Sequence, residues 1–75
     1  MTVEQVIGYV FKVESDKIDD LSSRETIPGW DSMGHLSLIV ALESEFGVSI
    51  SIADSIEMVT VEKIRSVLRK YGVRC

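Results

Sequence analysis

The sequence predicts an all-α fold: a four-helix bundle with a short third helix and a long first loop. Three observations predict it. The chain has 75 residues, enough for one domain with one modest core. Apolar residues recur at helical spacing in several segments. The one alternating β-branched run, residues 48–52, has no partner strand elsewhere. We therefore treat residues 1–75 as a single domain.

The first helix is predicted to begin after Thr2 and to fade near Glu14. Thr2 and Gln5 fit a capping box, in which a hydroxyl and an amide each accept a hydrogen bond from a free backbone N–H group. Behind them five apolar residues fall on one helical face: Val3, Val6, Ile7, Val10 and Val13.

A long connection, the first loop, follows from about Ser15 to Asp31. Loops of this length are usually either functional or disordered. Ile18, Leu21 and Ile27 look like anchors that pin it to the bundle, so we predict an ordered loop. Pro28-Gly29 predicts a turn just before the second helix.

The second helix is predicted from about Ser32 to Phe46, with Gly47 as a left-handed end cap. Residues 48–52 then form an extended connector, which we expect to anchor Ile50 in the core.

A short third helix is predicted from about Ala53 to Met58, with Ser51 as its cap. The fourth helix starts after Thr60 and ends at Gly72. It is expected to bury five side chains, namely Val61, Ile64, Val67, Leu68 and Tyr71.

The second helix carries more apolar surface than one small core can cover. Its apolar arc spans about 220°, where an amphipathic helix needs somewhat over ~100°. Glu43 interrupts the arc, and burying it without water would be costly. We therefore predict two separate strips. The inner strip faces the bundle and comprises Leu38, Ile39, Leu42 and Phe46. The outer strip stays partly exposed and comprises Met33, Leu36 and Val40.

Two questions remain open from these residues alone. Asp31 and Ser32 stand at the start of the helix, and either can be its N-cap. Capping by itself would account for both residues, without any role for them beyond starting the helix. The outer strip is either a docking surface rimmed by polar groups or a surface that the first loop covers.

Charge and composition restrict the function classes. The net charge is −4, and residues 1–62 hold all twelve acidic groups. Such a body repels nucleic acid and anionic membranes. The basic residues after 62 fit the dipole at the end of the last helix better than a nucleic-acid patch, because five charges on one helix are a weak footprint. No apolar run approaches the ~20 residues of a membrane span. One His and one Cys are too few for a zinc site. With no signal segment and the single Cys75, we expect a cytoplasmic monomer.

The stretch Gly29-Trp30-Asp31-Ser32-Met33-Gly34-His35-Leu36, continued by Ala41-Leu42-Glu43-Ser44-Glu45-Phe46-Gly47, resembles the acyl and peptidyl carrier proteins. The resemblance covers essentially the whole chain and implies a bundle of acyl-carrier type. It implies that a phosphopantetheinyl transferase, using Mg²⁺, attaches 4′-phosphopantetheine from coenzyme A to Ser32. Acyl or aminoacyl groups then travel as thioesters on the thiol of that arm. It also implies that Asp31 assists recognition during modification.

By the same resemblance, the second helix is the surface that loading and processing enzymes contact. Met33, Leu36 and Val40 match apolar contact positions, and Glu43 matches an acidic one. Carriers of primary fatty acid synthesis usually place more acids along this helix, where this chain has Gly34, His35, Ser37 and Ser44. This difference favours a dedicated carrier in a specialised lipid, polyketide or aminoacyl pathway.

Two other functions compete with the carrier. A non-catalytic interaction module of the same fold would keep the outer strip and lack the prosthetic arm. A serine hydrolase would use Ser32 and His35, but Trp30 stands where a nucleophile elbow has its first glycine, and no strand precedes the serine. We therefore predict no catalysis by the chain itself.

Overall fold

The computed structural model describes residues 1–75 as four α-helices without a β-strand. The helices are α1 (Val3–Phe11), α2 (Ser32–Phe46), α3 (Ile52–Glu57) and α4 (Val61–Lys70). A single 3₁₀ turn, Ser15–Lys17, lies in the first loop. The predicted all-α bundle with a short third helix is confirmed. The connector comprises residues 48–51, which are neither helix nor strand, and is one residue shorter than predicted because Ile52 begins α3.

Side-chain caps start the helices at or within one residue of the predicted positions. The capping box of α1 is complete, with Thr2 N–H donating to Gln5 Oε1 and Gln5 N–H donating to Thr2 Oγ1. Ser51 Oγ accepts from Asp54 N–H at the start of α3. Thr60 Oγ1 accepts from the third residue of α4 in the same way. Helix α3 begins at Ile52 and ends at Glu57, one residue earlier at each end than predicted.

Helix α1 ends at Phe11, so its predicted continuation toward Glu14 is wrong. Lys12 adopts a left-handed conformation, with φ of 57°. The N–H groups of Lys12 and Val13 both donate to the carbonyl of Gly8, which closes the last turn. A Cβ atom on Gly8 would lie 2.5 Å from the Val13 carbonyl oxygen, so the turn needs glycine. Val13 packs against the core from beyond the helix.

The core is one cluster of fourteen buried apolar side chains. Helix α4 buries four of the five side chains predicted for its inner face, and the fifth, Tyr71, is only half-buried beside them. Helix α2 contributes three, and α3 contributes none. Met58 directly follows α3 and belongs to the core, where its side chain is fully buried.

The first loop is ordered, but one of its three predicted anchors is wrong. Ile18 and Ile27 are buried, whereas Leu21 is 79% exposed. Leu21 sits in a turn in which its N–H donates to Asp19 Oδ1, and this turn directs the leucine outward. Ser22 is buried instead, and its carbonyl accepts from the N–H of Val61 at the start of α4.

Ion pairs join α4 to α1 and to the first loop. The guanidinium of Arg65 on α4 contacts Glu4 on α1 and lies 2.6 Å from Asp20 in the first loop. Burial opposes the ionisation of Glu4, but the hydrogen bond from Arg65 and the bond to its own backbone outweigh it, so the pKa of Glu4 is lowered. Arg65, one of the basic residues after 62, thus forms ion pairs within the fold.

None of the helices has the length and apolar character needed to cross a bilayer.

Candidate functional site

Asp31, not Ser32, caps α2. Asp31 has extended backbone angles, and its Oδ1 accepts a hydrogen bond of 2.8 Å from Gly34 N–H. Ser32 is the first residue of the helix and is exposed. Its hydroxyl makes no hydrogen bond within the chain. Capping therefore explains Asp31 and leaves the Ser32 hydroxyl free.

A tightly packed turn presents Ser32. The indole of Trp30 is 2% exposed and stacks on Phe11, with ring centroids 5.7 Å apart. Gly29 has a φ of 89°. The first turn of α2 approaches this turn so closely that a Cβ on Gly34 would lie 2.0 Å from the Gly29 carbonyl oxygen. The backbone around Ser32 is therefore held by packing, while the hydroxyl itself faces solvent.

His35 joins the turn to α3. Its Nδ1 lies 2.9 Å from Trp30 Nε1, and its Nε2 lies 2.7 Å from the carbonyl oxygen of Ser55. An indole N–H can only donate, so Nδ1 accepts; Nε2 then carries the proton and donates to the carbonyl. Both ring nitrogens are occupied, so neither is placed to take a proton from Ser32.

The two apolar strips of α2 lie where the pattern predicts. In the inner strip Leu38, Ile39 and Leu42 are buried, and Phe46 is half-buried against the core. In the outer strip Met33, Leu36 and Val40 are 76%, 62% and 58% exposed. The first loop does not cover the outer strip, so that alternative is wrong.

A groove of about 310 Å³ begins at Ser32 and runs between α2, the connector and α3. Its walls are mainly aliphatic. They are formed by Leu36, Ile39 and Val40 on one side and by Ile50 and Ile52 on the other. The groove is thus an apolar cleft with a free hydroxyl among its lining groups.

Glu43 lines the same groove and has a structural contact. Its Oε2 accepts a hydrogen bond of 2.8 Å from the backbone N–H of Ile50, and its side chain is half-buried. This bond ties the connector to α2 and keeps Ile50 against the core, as expected for the connector. The half-buried carboxylate therefore has a hydrogen-bond partner. The cost of burying it without one was the reason for predicting two strips.

Two exposed isoleucines on α3 were not among the predicted site residues. Ile52 is 81% exposed and Ile56 is 68% exposed, and they are four residues apart on one helix. Ile52 lines the groove opposite the outer strip. The i, i+4 spacing was the available signal, but a six-residue helix offers too few positions for periodicity to separate an inner from an outer face.

Polar contacts tie the rim of α3 to α4. Asp54 Oδ1 lies 2.6 Å from Lys70 Nζ, and Asp54 Oδ2 accepts from the Tyr71 hydroxyl at 2.6 Å. The Tyr71 hydroxyl in turn accepts from Ser51 N–H. The hydrogen bonds from Lys70 and then Tyr71 lower the pKa of Asp54, and the bond to Asp54 raises the pKa of Lys70.

No protein-family model matches this chain, and no curated protein matches it. No group of three or more His, Cys, Asp or Glu side chains is arranged to hold a metal ion.

Proposed function

We propose that this chain is a carrier protein of the acyl and peptidyl carrier type, with 4′-phosphopantetheine attached to Ser32. The observation that carries the proposal is the division of roles at the start of α2. Asp31 caps the helix, and the adjacent hydroxyl stands exposed, without a hydrogen bond, beside an exposed apolar strip. A serine used only as a cap would accept the bond that Asp31 accepts.

The residues around Ser32 suit a phosphodiester. The backbone N–H groups of Ser32 and Met33 have no partner within the chain, and they lie at the positive end of a fifteen-residue helix. In the modification, a bond forms between Ser32 Oγ and the phosphorus that bears the pantetheine arm. The phosphoanhydride bond of coenzyme A breaks, adenosine 3′,5′-bisphosphate leaves with the electron pair, and the serine proton passes to a base of the transferase.

The arm supplies a terminal thiol that carries acyl or aminoacyl groups as thioesters. The chain's own contribution is to hold the attachment point on a packed turn and to offer a cleft beside it. The aliphatic walls of the groove favour an apolar acyl portion as cargo. We propose that the carrier serves a specialised lipid, polyketide or aminoacyl pathway.

Partner enzymes are proposed to dock on the outer strip. Met33, Leu36 and Val40 are exposed beside Ser32, and Ile52 and Ile56 extend the apolar surface across the groove. Glu43 is the acidic group proposed for this face; one of its oxygens is already bound to Ile50 N–H. Because few charges border the surface, binding of the transferase and of loading enzymes should depend only weakly on salt.

The proposed carrier neither catalyses a reaction itself nor binds nucleic acid. His35 has both ring nitrogens engaged, which supports a carrier without catalysis of its own. Two of the five cations after residue 62, Arg65 and Lys70, pair with carboxylates, which weakens any footprint for nucleic acid. We propose a monomer that acts in the cytoplasm.

The test is the intact mass of the chain after incubation with coenzyme A, Mg²⁺ and a broad-specificity phosphopantetheinyl transferase. The wild-type chain should gain one phosphopantetheine group, and Ser32→Ala should gain none. Ser37→Ala, an exposed serine of the same helix, is the matched control and should be modified like the wild type.

The same mass measurement on protein isolated from its own source reveals arm and cargo together. Absence of the arm in both samples would favour the interaction module without a prosthetic group. Turnover of an activated ester without any transferase would favour a hydrolase instead.

A further inference from the structure

Helix α3 is the least anchored element of the bundle. None of its six residues is buried, whereas the other three helices each bury at least three side chains. Polar contacts hold it in place. Ser51 and Asp54 bind the end of α4, and the carbonyl of Ser55 binds His35 on α2. An element held in this way lies at the low end of local stability.

The contact to α2 is a chain of two hydrogen bonds. It runs from the buried Trp30 indole through His35 to the Ser55 carbonyl, and both His35 and Ser55 line the groove. We call these three residues the latch. Only one form of the ring satisfies both bonds, namely the neutral imidazole with its proton on Nε2.

We propose that His35 is a positioning residue that holds α3 against α2 and so sets the width of the groove beside Ser32. The latch closes when the imidazole is neutral and opens when the ring takes up a proton. This inference concerns the position of α3, goes beyond the proposed carrier function, and does not require Ser32 to be modified.

The reason is a clash of donors. An imidazolium carries N–H groups on both nitrogens, so Nδ1–H would face the N–H of Trp30. The indole is 2% exposed, so solvent has little access to replace the lost acceptor, and the ring must turn away or leave a buried donor unsatisfied. Turning the ring also breaks the bond to Ser55 O. Histidine is the side chain that ordinarily gains its proton between pH 8 and 5.

Few charged groups lie around the latch. Glu43 is the one charged side chain among those lining the groove, and Asp31 lies one turn before His35 on α2. On α3 the neighbours of Ser55 in sequence include Asp54, which is bound to Lys70 and Tyr71, and Glu57 is two residues further on. The first loop presents the uncharged Trp30.

The test uses the unmodified, ¹⁵N-labelled full chain and measures hydrogen exchange at pH 7.5 and 5.5. The ratio of protection at α3 (the amides of Ser55 and of Met58, the residue that caps the helix) to protection in α4 (Val67 and Leu68) removes the intrinsic pH dependence of exchange. We expect this ratio to fall about tenfold at the lower pH, the order of effect of one unsatisfied buried donor. The Trp30 indole N–H resonance should shift over the same range.

Three variants separate the latch from a general effect of acid. Gln has an acceptor and a donor but does not titrate, so His35→Gln should restore the contact and abolish the pH response. Trp30→Phe keeps the stacked ring and removes the opposing donor, so its response should shrink. Ser55→Ala keeps the backbone carbonyl and should respond like the wild type.

A wild-type ratio that is unchanged between the two pH values overturns the latch, as does an equal response in His35→Gln. These results are independent of the transferase assay. A chain that shows the pH response but gains no arm keeps the latch and loses the carrier proposal. A chain that gains the arm without the pH response does the reverse.

Discussion

The two apolar sides of α2 consist of the same kinds of residue and have opposite fates. Leu42 in the inner strip is fully buried, whereas Leu36 in the outer strip is 62% exposed, six residues away on the same helix. The inner strip faces the core cluster to which α1 and α4 contribute. The outer strip faces a groove whose far wall is a helix without a buried residue. Hydrophobic character alone therefore did not decide which side became core.

Glu43 separates the two sides. Its carboxylate accepts a hydrogen bond from the N–H of Ile50, which ties the connector to α2 beside the groove. Three large exposed side chains on consecutive turns of one helix form a contiguous apolar surface. Such a surface on a small domain is typical of a binding site.

The largest expected effect is on stability, from matched substitutions on the two sides. Leu42→Ala should lower the free energy of unfolding by about 3 kcal/mol, because it leaves a cavity in the core. Leu36→Ala should change it by less than about 0.5 kcal/mol, because its side chain is already in water. Urea unfolding followed by circular dichroism measures both, and equal losses would show that the outer strip is also part of the core.

The second effect is on recognition. Val40→Glu should lower kcat/KM of the transferase about tenfold, since a charge at the centre of an apolar contact removes a main binding residue. The free energy of unfolding should stay within about 0.5 kcal/mol of the wild type. Ser66→Glu on α4 adds the same charge away from the strip and should leave the transferase rate unchanged. Equal losses in both variants would point to net charge rather than to the strip.

The third effect compares the two residues at the start of α2. Asp31→Ala removes the cap and should cost about 1 kcal/mol of stability. Ser32→Ala removes a hydroxyl without a hydrogen bond and should change stability by less than about 0.5 kcal/mol. Thermal unfolding of the two variants gives the comparison, and a larger loss for Ser32→Ala would mean that its hydroxyl supports the helix.

The smallest effect concerns the helix that borders the outer strip. The pKa of Asp54 is lowered by its hydrogen bonds from Lys70 and then Tyr71. A lowered pKa in the folded state stabilises the fold above the usual carboxyl value of 3.8, and this stabilisation is lost as the pH falls through the lower, folded value. Protection of the α3 amides should therefore decrease below about pH 3.8.

The matched variant is Asp54→Asn. It should reduce α3 protection slightly at neutral pH and remove the response below pH 3.8, while the response between pH 7.5 and 5.5 that is proposed for His35 remains. A loss of both responses in Asp54→Asn would show that the two contacts do not act independently.

Local signals in the sequence predict the helices well. The capping box of Thr2 and Gln5, the caps Ser51 and Thr60, and the end cap Gly47 are all observed. Each involves hydrogen bonds between residues a few positions apart, so the sequence contains all the partners. The division of α2 into two apolar strips was also predictable, because Glu43 could not be buried within a continuous apolar arc.

The errors have a different origin. Leu21 has the character of an anchor, but the turn stabilised by Asp19 directs it into solvent. The early end of α1 depends on the approach of Val13 to Gly8, which periodicity does not contain. The exposed isoleucines of α3 and the engagement of both His35 nitrogens depend on how far α3 stands from α2.

By itself, the sequence determined the number and order of the helices, their starts, and the presence of two apolar sides on α2. Only the tertiary structure decided that no element covers Met33, Leu36 and Val40, and that His35 bridges Trp30 and Ser55. The physical reason is range: capping and periodicity act within a few residues, whereas exposure and the pairing of a ring between two elements depend on where distant segments pack.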